Sequence, residues 1–126
     1  MARSVLLQLA RDSIQEVFEA KRTIDKIGLL QRHPLLGELV ANSVNIYLRG
    51  ELRGSALSSR GELSLLEEII QNAKKAVFED KDFSPLTTSE YLDCEVEIVL
   101  YTNEGNISEK DDPILNEKYS LESLFL

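Results

Sequence analysis

Residues 42–59 read Asn-Ser-Val-Asn-Ile-Tyr-Leu-Arg-Gly-Glu-Leu-Arg-Gly-Ser-Ala-Leu-Ser-Ser, and their alternation decides the fold. Val44, Ile46 and Leu48 alternate with Ser43, Asn45, Tyr47 and Arg49, the period-two pattern of a strand with one buried face. Gly50-Glu51 predicts a two-residue type II′ turn, because Gly accepts a positive φ without a Cβ clash. Leu52 to Ser59 then returns as the partner strand, with Gly54 allowing a close backbone approach. That turn sets Arg49 opposite Leu52 and Leu48 opposite Arg53, so Arg53, Ser55 and Leu57 share the apolar face of Val44, Ile46 and Leu48. A guanidinium on that face needs a carboxylate or a bound anion, since breaking such a buried pair costs about 3–5 kcal/mol. A three-residue turn would direct Arg53 outward. Two readings of Arg53 therefore stand: a structural or solvated arginine, and an anion site.

Outward from this hairpin the helices follow. Residues Ala2 to about Ala20 predict an amphipathic helix: Leu6 or Leu7, Ala10, Ile14, Val17 and Phe18 recur at three- and four-residue steps, and Arg11, Asp12, Gln15, Glu16 and Glu19 fill the other face. Ile24 to Leu36 is apolar but broken by Gly28 and Pro34, which predicts a connecting loop with one helical turn at most. Glu62 to about Asp80 predicts the second long helix, striped by Leu63, Leu66, Ile70, Ala73 and Val77. Thr87 and Glu90 have the spacing of a capping box. Asp93 to Tyr101 is a third strand, with Cys94, Val96, Ile98 and Leu100 on one face. Residues 102–113 read as a polar linker, and the apolar residues within 114–126 as a docking tail through which a homo-oligomer could also form. The order α-β-β-α-β plus this tail predicts one α+β domain over residues 1–126, two main helices on a small antiparallel sheet.

The 126 residues carry 14 basic and 22 acidic side chains, a net charge of −8, which argues against binding a phosphate backbone and so against a nucleic-acid partner. One Cys and one His exclude an intrachain disulfide and a Cys/His zinc site. No apolar run is long enough for a membrane span, and Arg3, Arg11 and Asp12 interrupt any signal-like start, so a cytoplasmic location is expected.

Few residues offer chemistry. Glu79, Asp80 and Asp82 end the second helix, where acids face the negative end of the dipole and call for a partner such as Arg53 or a cation. Asp80-Lys81-Asp82 resembles no calcium loop, so no metal is expected. Cys94 falls in the core register of a strand, where a thiol behaves as a small hydrophobe with a raised pKa. His33 precedes Pro34 with no acid or nucleophile beside it in sequence, and Ser55 lacks an elbow motif to activate it. No nucleotide-cofactor fingerprint is present, and no cofactor is expected.

Tyr47-Leu48-Arg49-Gly50-Glu51-Leu52-Arg53-Gly54, followed by Ser55-Ala56-Leu57, resembles the hallmark strand of the AMME-syndrome chromosomal-region family, the AMMECR-type domain, which usually reads Gly-x-Leu-Arg-Gly-Cys-Ile-Gly. Gln71 to Leu86, with Glu79-Asp80-Lys81-Asp82-Phe83-Ser84-Pro85-Leu86, is similar to that family's Ala-Phe-x-Asp-x-Arg-Phe-Pro-Pro-Leu segment. Glu95 to Leu100 and Leu9 to Ile14 resemble two further pieces of it, in the same order. The family Cys falls at Ser55 and the family Arg at Asp82, which implies a shortened, diverged member. A member without that Cys lacks the nucleophile the position would supply, since a strand Ser with no base is far weaker. The resemblance implies no settled reaction. It implies an accessory role beside Memo-like and radical-SAM proteins, similar to that of protein A of the AmmeMemoRadiSam system.

Two functions are thus expected in competition. One is a non-catalytic accessory domain that binds a partner protein. The other is an enzyme acting on a small anionic substrate held near Arg53, Gly54 and Ser55, with Asp80 or Glu79 as acid or base. A pocket joining Arg53 to Asp80 favours the enzyme, and an Arg53 enclosed by protein favours the interaction domain.

Overall fold

Ser4 starts the first helix. Its hydroxyl accepts the Leu7 backbone N–H at 3.2 Å, satisfying one of the donors that a helix start leaves unpaired. In the computed structural model, which describes residues 3–58 and 63–115, this helix, α1, spans Val5–Glu19 and ends at Ala20 in the left-handed region with φ 55°. The expected loop over Ile24 to Leu36 holds more helix than its breakers suggest. Asp25 caps α2 (Lys26–Arg32) by accepting the Gly28 N–H at 3.1 Å, and Pro34 opens a 3-10 turn over Pro34–Gly37, where a helix start needs no N–H. Strands β1 (Ala41–Leu48) and β2 (Glu51–Ser58) form the hairpin. Helix α3 (Leu65–Phe78) begins at Ser64, whose hydroxyl accepts from Glu67 N. Helix α4 (Thr88–Asp93) carries both halves of the Thr87–Glu90 capping box.

Strand β3 (Cys94–Thr102) pairs antiparallel with β1, and β4 (Gly105–Lys110) pairs antiparallel with β3, giving the sheet order β2-β1-β3-β4. The fold is α+β, with an antiparallel sheet. Strand β4 corrects the expectation of a linker over 102–113. Its polar side chains hid it, because an edge strand is held by ladder hydrogen bonds and needs little apolar burial. The docking tail expected over 114–126 lies outside the described residues beyond Leu115. Ile114 packs against the core.

Helices α1 and α3 cover one face of the sheet. Leu7, Ala10 and Ile14 from α1 and Leu66, Ile69, Ala73 and Val77 from α3 close over Val44, Ile46, Val96 and Ile98, all buried. Phe18 meets Phe78 edge-on at 5.3 Å between ring centroids and Tyr91 at 5.4 Å, joining α1, α3 and α4. The opposite sheet face carries Asn45, Tyr47, Ser55, Glu95 and Glu97, linked by Ser55 Oγ donating to Asn45 at 2.8 Å and Asn45 Nδ2 donating to Glu97 at 2.9 Å.

The hairpin turn corrects a second expectation. Its central residues are Arg49 (φ 53°) and Gly50 (φ 84°), both left-handed, so the turn is of the type I′ kind and sets Leu48 opposite Glu51. The ladder then breaks between Ile46 and Tyr47: Tyr47 faces Leu52, Ile46 faces Gly54, and Arg53 is the extra residue of a β-bulge. Ser55 and Leu57 consequently face Asn45 and Ser43 on the side away from the helices, not the apolar face. Arg11 is the third correction. Expected on the solvent side of α1, it is only 2% exposed.

Candidate functional site

The bulge decides what Arg53 can reach. Freed from the ladder, its guanidinium crosses to α4, where Nε and Nη2 each lie 3.1 Å from an oxygen of Glu90. Nη1 donates to the Ser84 carbonyl at 2.9 Å, and the group sits 5.7 Å above the Phe83 ring. The Arg53 hydrogen bonds, with the Thr87 backbone N–H, hold the Glu90 carboxyl below the usual carboxylate range. Arg53 therefore has a carboxylate partner, and it is Glu90 rather than Glu79, Asp80 or Asp82.

Gly54 lies against α3, where a Cβ would overlap the Ala76 carbonyl oxygen, so only glycine lets β2 come this close to the helix. Ser55 is on the outer edge of the sheet. Its backbone N–H donates to Asp80 Oδ2 at 2.8 Å, and Asp80 Oδ1 accepts the Asp82 N–H at 2.7 Å. One carboxylate thus shapes the turn after α3 and caps an edge-strand donor. Ser55 and Asp80 also line a cavity of about 530 Å³ beside β2, together with Lys75, Glu79, Lys81 and Asp82. Arg53 and Gly54 do not line it. The structure brings Ser55 to Asp80 and sends Arg53 to a different acid.

The AMMECR1 family model matches residues 7–120. The chain belongs to the AMMECR1 family. Among solved structures it is similar to the uncharacterized protein PH0010 from Pyrococcus horikoshii, at 25% identity and a TM-score of 0.67, over 77% of this chain and 49% of that one. The AMMECR1 chain described here therefore spans about half the length of that relative. No curated protein matches it. The segment resembling the family's hallmark strand is the β1–β2 hairpin, with its Arg49-Gly50 turn, its Arg53 bulge and its Gly54 contact on α3.

The remaining candidates are separate from this region. Cys94 is fully buried at the start of β3, and burial pushes its thiol up, against a partial opposing effect of Arg11. Its Sγ donates to the Tyr91 carbonyl at 3.2 Å. His33 closes α2, with its backbone N–H on the Leu29 carbonyl at 2.8 Å. Glu97 accepts from Asn45 Nδ2 at 2.9 Å and from the Tyr47 hydroxyl at 3.4 Å. Burial, then the charge and hydrogen bond of Glu97, push the Tyr47 phenol up.

Sequence reasoning passed over a buried ion pair. Arg11 Nε and Nη2 meet Asp111 Oδ2 and Oδ1 at 2.8 and 2.9 Å, and Nη2 also donates to the Cys94 carbonyl at 2.7 Å. Arg3 Nε lies 2.7 Å from Asp111 Oδ2, and the Val96 N–H donates to Oδ1 at 2.8 Å. Burial opposes both charges. The paired hydrogen bonds outweigh it, holding Arg11 above and Asp111 below their ordinary values. A signal was present: Arg11 stands four residues after Leu7 and three before Ile14, within the apolar stripe of α1.

Proposed function

We propose that this AMMECR1 domain is a non-catalytic accessory module that binds a partner protein in the cytoplasm. The observation that carries this reading is the engagement of Arg53, whose guanidinium is committed to both oxygens of Glu90 and to the Ser84 carbonyl. Asp80 is likewise committed, to the N–H groups of Ser55 and Asp82. The one thiol is in the core with its pKa raised, so the domain presents no thiolate. Leu57, Leu52 and Tyr101 are exposed on or beside the sheet face that α1 and α3 leave open, which supplies apolar contact area for a partner. The match covers 49% of PH0010, so about half of that relative has no matched counterpart in this chain. The partner class is the one that the family resemblance implies, a Memo-like or radical-SAM protein.

The enzyme reading rests on the cavity beside Ser55 and Asp80. Its charged lining is Lys75 and Lys81 against Glu79, Asp80 and Asp82, a poor setting for an anionic substrate.

Size-exclusion chromatography with light scattering, on the purified chain mixed with a Memo-like or a radical-SAM protein of the same cell, tests the proposal. A stoichiometric complex that Leu57→Asp disrupts, with no change in melting temperature, is the expected result. Separate elution of every mixture, together with an empty affinity capture from native cytosol, sinks it.

A further inference from the structure

Glu16 organises a second region, at the far end of α1. Its Oε2 accepts the backbone N–H groups of Thr23 at 2.6 Å and Ile24 at 3.0 Å, and its Oε1 lies 3.5 Å from Lys74 Nζ on α3. These bonds, with the left-handed turn at Ala20, arch residues 20–26 beside α3 and border an open cavity of about 440 Å³. Ligand sites fall in the range of about 300–1,000 Å³. Val17, Ala20, Ile24 and Ile70 make its apolar part, and Lys21, Arg22, Lys26 and Lys74 stand around it.

In a chain of net charge −8, four of the 14 basic side chains line this one cavity, against a single lining acid. That acid, Glu16, is committed to the arch. Burial would raise its carboxyl, but the Ile24 and Thr23 N–H groups and Lys74 together lower it. The neighbouring acids are engaged too: Asp25 accepts from Gly28 N, Glu19 accepts from Gln15 Nε2 at 3.2 Å, and Glu67 pairs with Lys26 at 3.0 Å. The last pair is exposed and easily exchanged. Among the described residues, Lys21 and Arg22 have no carboxylate partner. The carbonyls at the end of α1 oppose an anion here, but the Ala20 and Lys21 N–H groups already satisfy those of Val17 and Glu16.

We infer that this cavity binds a small organic phosphate, its apolar or planar body against Ile24, Ile70 and Val17 and its phosphoryl oxygens among Lys21, Arg22 and Lys74. Clustered cations repel one another, and a dianion relieves that repulsion more than a carboxylate does. The arginine fork matches a phosphate face, and the lysines add point charge. The apolar part requires a body on the phosphate, which separates this site from a patch that collects any anion. This inference does not rest on the partner-binding role proposed above, and either can fail alone.

Amide and methyl NMR titrations of the full chain test it, with phenyl phosphate, inorganic phosphate and phenol as separate probes. The expected result is saturable shifts at Thr23, Ile24 and the Ile70 methyls, with phenyl phosphate binding on the order of tenfold or more tighter than either fragment. The double variant Lys21→Gln/Arg22→Gln changes two side chains without carboxylate partners, so it should keep the wild-type melting temperature. It should also weaken phenyl phosphate binding by about tenfold or more. Added salt should weaken the wild type as well. Equal affinity for inorganic and phenyl phosphate overturns the inference. So does undiminished binding in the double variant, or no saturable shift up to about 10 mM probe.

Discussion

Arg11 and Asp111 stand a hundred positions apart in the chain and meet in a buried two-point ion pair, Nε to Oδ2 at 2.8 Å and Nη2 to Oδ1 at 2.9 Å. Because Asp111 also accepts the Val96 N–H and the Arg3 guanidinium, one carboxylate ties α1 and its N-terminal flank to β3 and to the chain leaving β4. The Asp111 N–H returns to the Val96 carbonyl at 3.0 Å, so the ladder between β3 and β4 ends on this residue. The apolar contacts of α1 bury its stripe, and this pair fixes where along the sheet it sits.

Removing one partner leaves the other charge buried. Asp111→Ala is expected to destabilise the domain by about 3–5 kcal/mol in urea denaturation. Arg11→Met in the same background should recover part of the loss, since an apolar side chain of similar length refills the site without a charge. If the double variant is no more stable than Asp111→Ala, the pair is not the source of the cost.

Acid should loosen the domain through the same residue. The folded Asp111 carboxyl titrates below its ordinary value of 3.8, so at pH values between the two the unfolded chain binds more protons. Its contribution is full above 3.8 and is lost as the pH falls through the folded value. Glu90, lowered from 4.5 by Arg53, acts in the same direction. Melting temperatures against pH should fall on the acid side for the wild type and fall less steeply for Asp111→Asn. Parallel profiles would assign the acid sensitivity elsewhere.

Arg53→Ala breaks a pair that is only partly enclosed, with side-chain exposures of 14% for Arg53 and 28% for Glu90. The expected loss is about 1.5–3 kcal/mol, the range for hydrogen bonds to charged groups, and smaller than that for Asp111→Ala. Glu90→Gln keeps the Thr87 cap and half of the Arg53 contact, so it should cost less still. Equal losses for Arg53→Ala and Asp111→Ala in the same denaturation assay would contradict this ranking.

Gly54→Ala tests the approach of β2 to α3. Its methyl would overlap the Ala76 carbonyl, which is backbone and cannot rotate away. A destabilisation of about 1–3 kcal/mol is expected from the forced shift, read by thermal unfolding. A neutral outcome would mean the hairpin and helix can separate without cost.

Periodicity made most of the secondary structure legible. Leu66, Ile69, Ile70, Ala73 and Val77 recur at helical steps because α3 buries one side, and Cys94, Val96 and Ile98 alternate because β3 buries one face. The Thr87–Glu90 capping box was legible because its partners are three residues apart. Strand β4 was not. Its residues are exposed along most of their length, and what defines them is pairing with Glu97 to Thr102, a relation that leaves no pattern in their own composition.

The hairpin shows the same boundary within residues 41–58. Its two strands and its turn region could be read from alternation and from Gly50, yet the register could not. The turn at Arg49-Gly50 moves the pairing by two residues, which keeps the faces, and the bulge at Arg53 moves it back by one, which inverts every β2 side chain beyond it. Composition and local spacing, set by chain chemistry over a few residues, determined the two long helices, the central strands, the core stripe, the acidic charge and the family resemblance. Tertiary structure alone decided that Arg53 meets Glu90, that Asp80 caps Ser55, that Arg11 is buried on Asp111 and that four cations surround one cavity. Those relations join groups far apart in the chain, and which acid a guanidinium meets depends on how the whole domain packs.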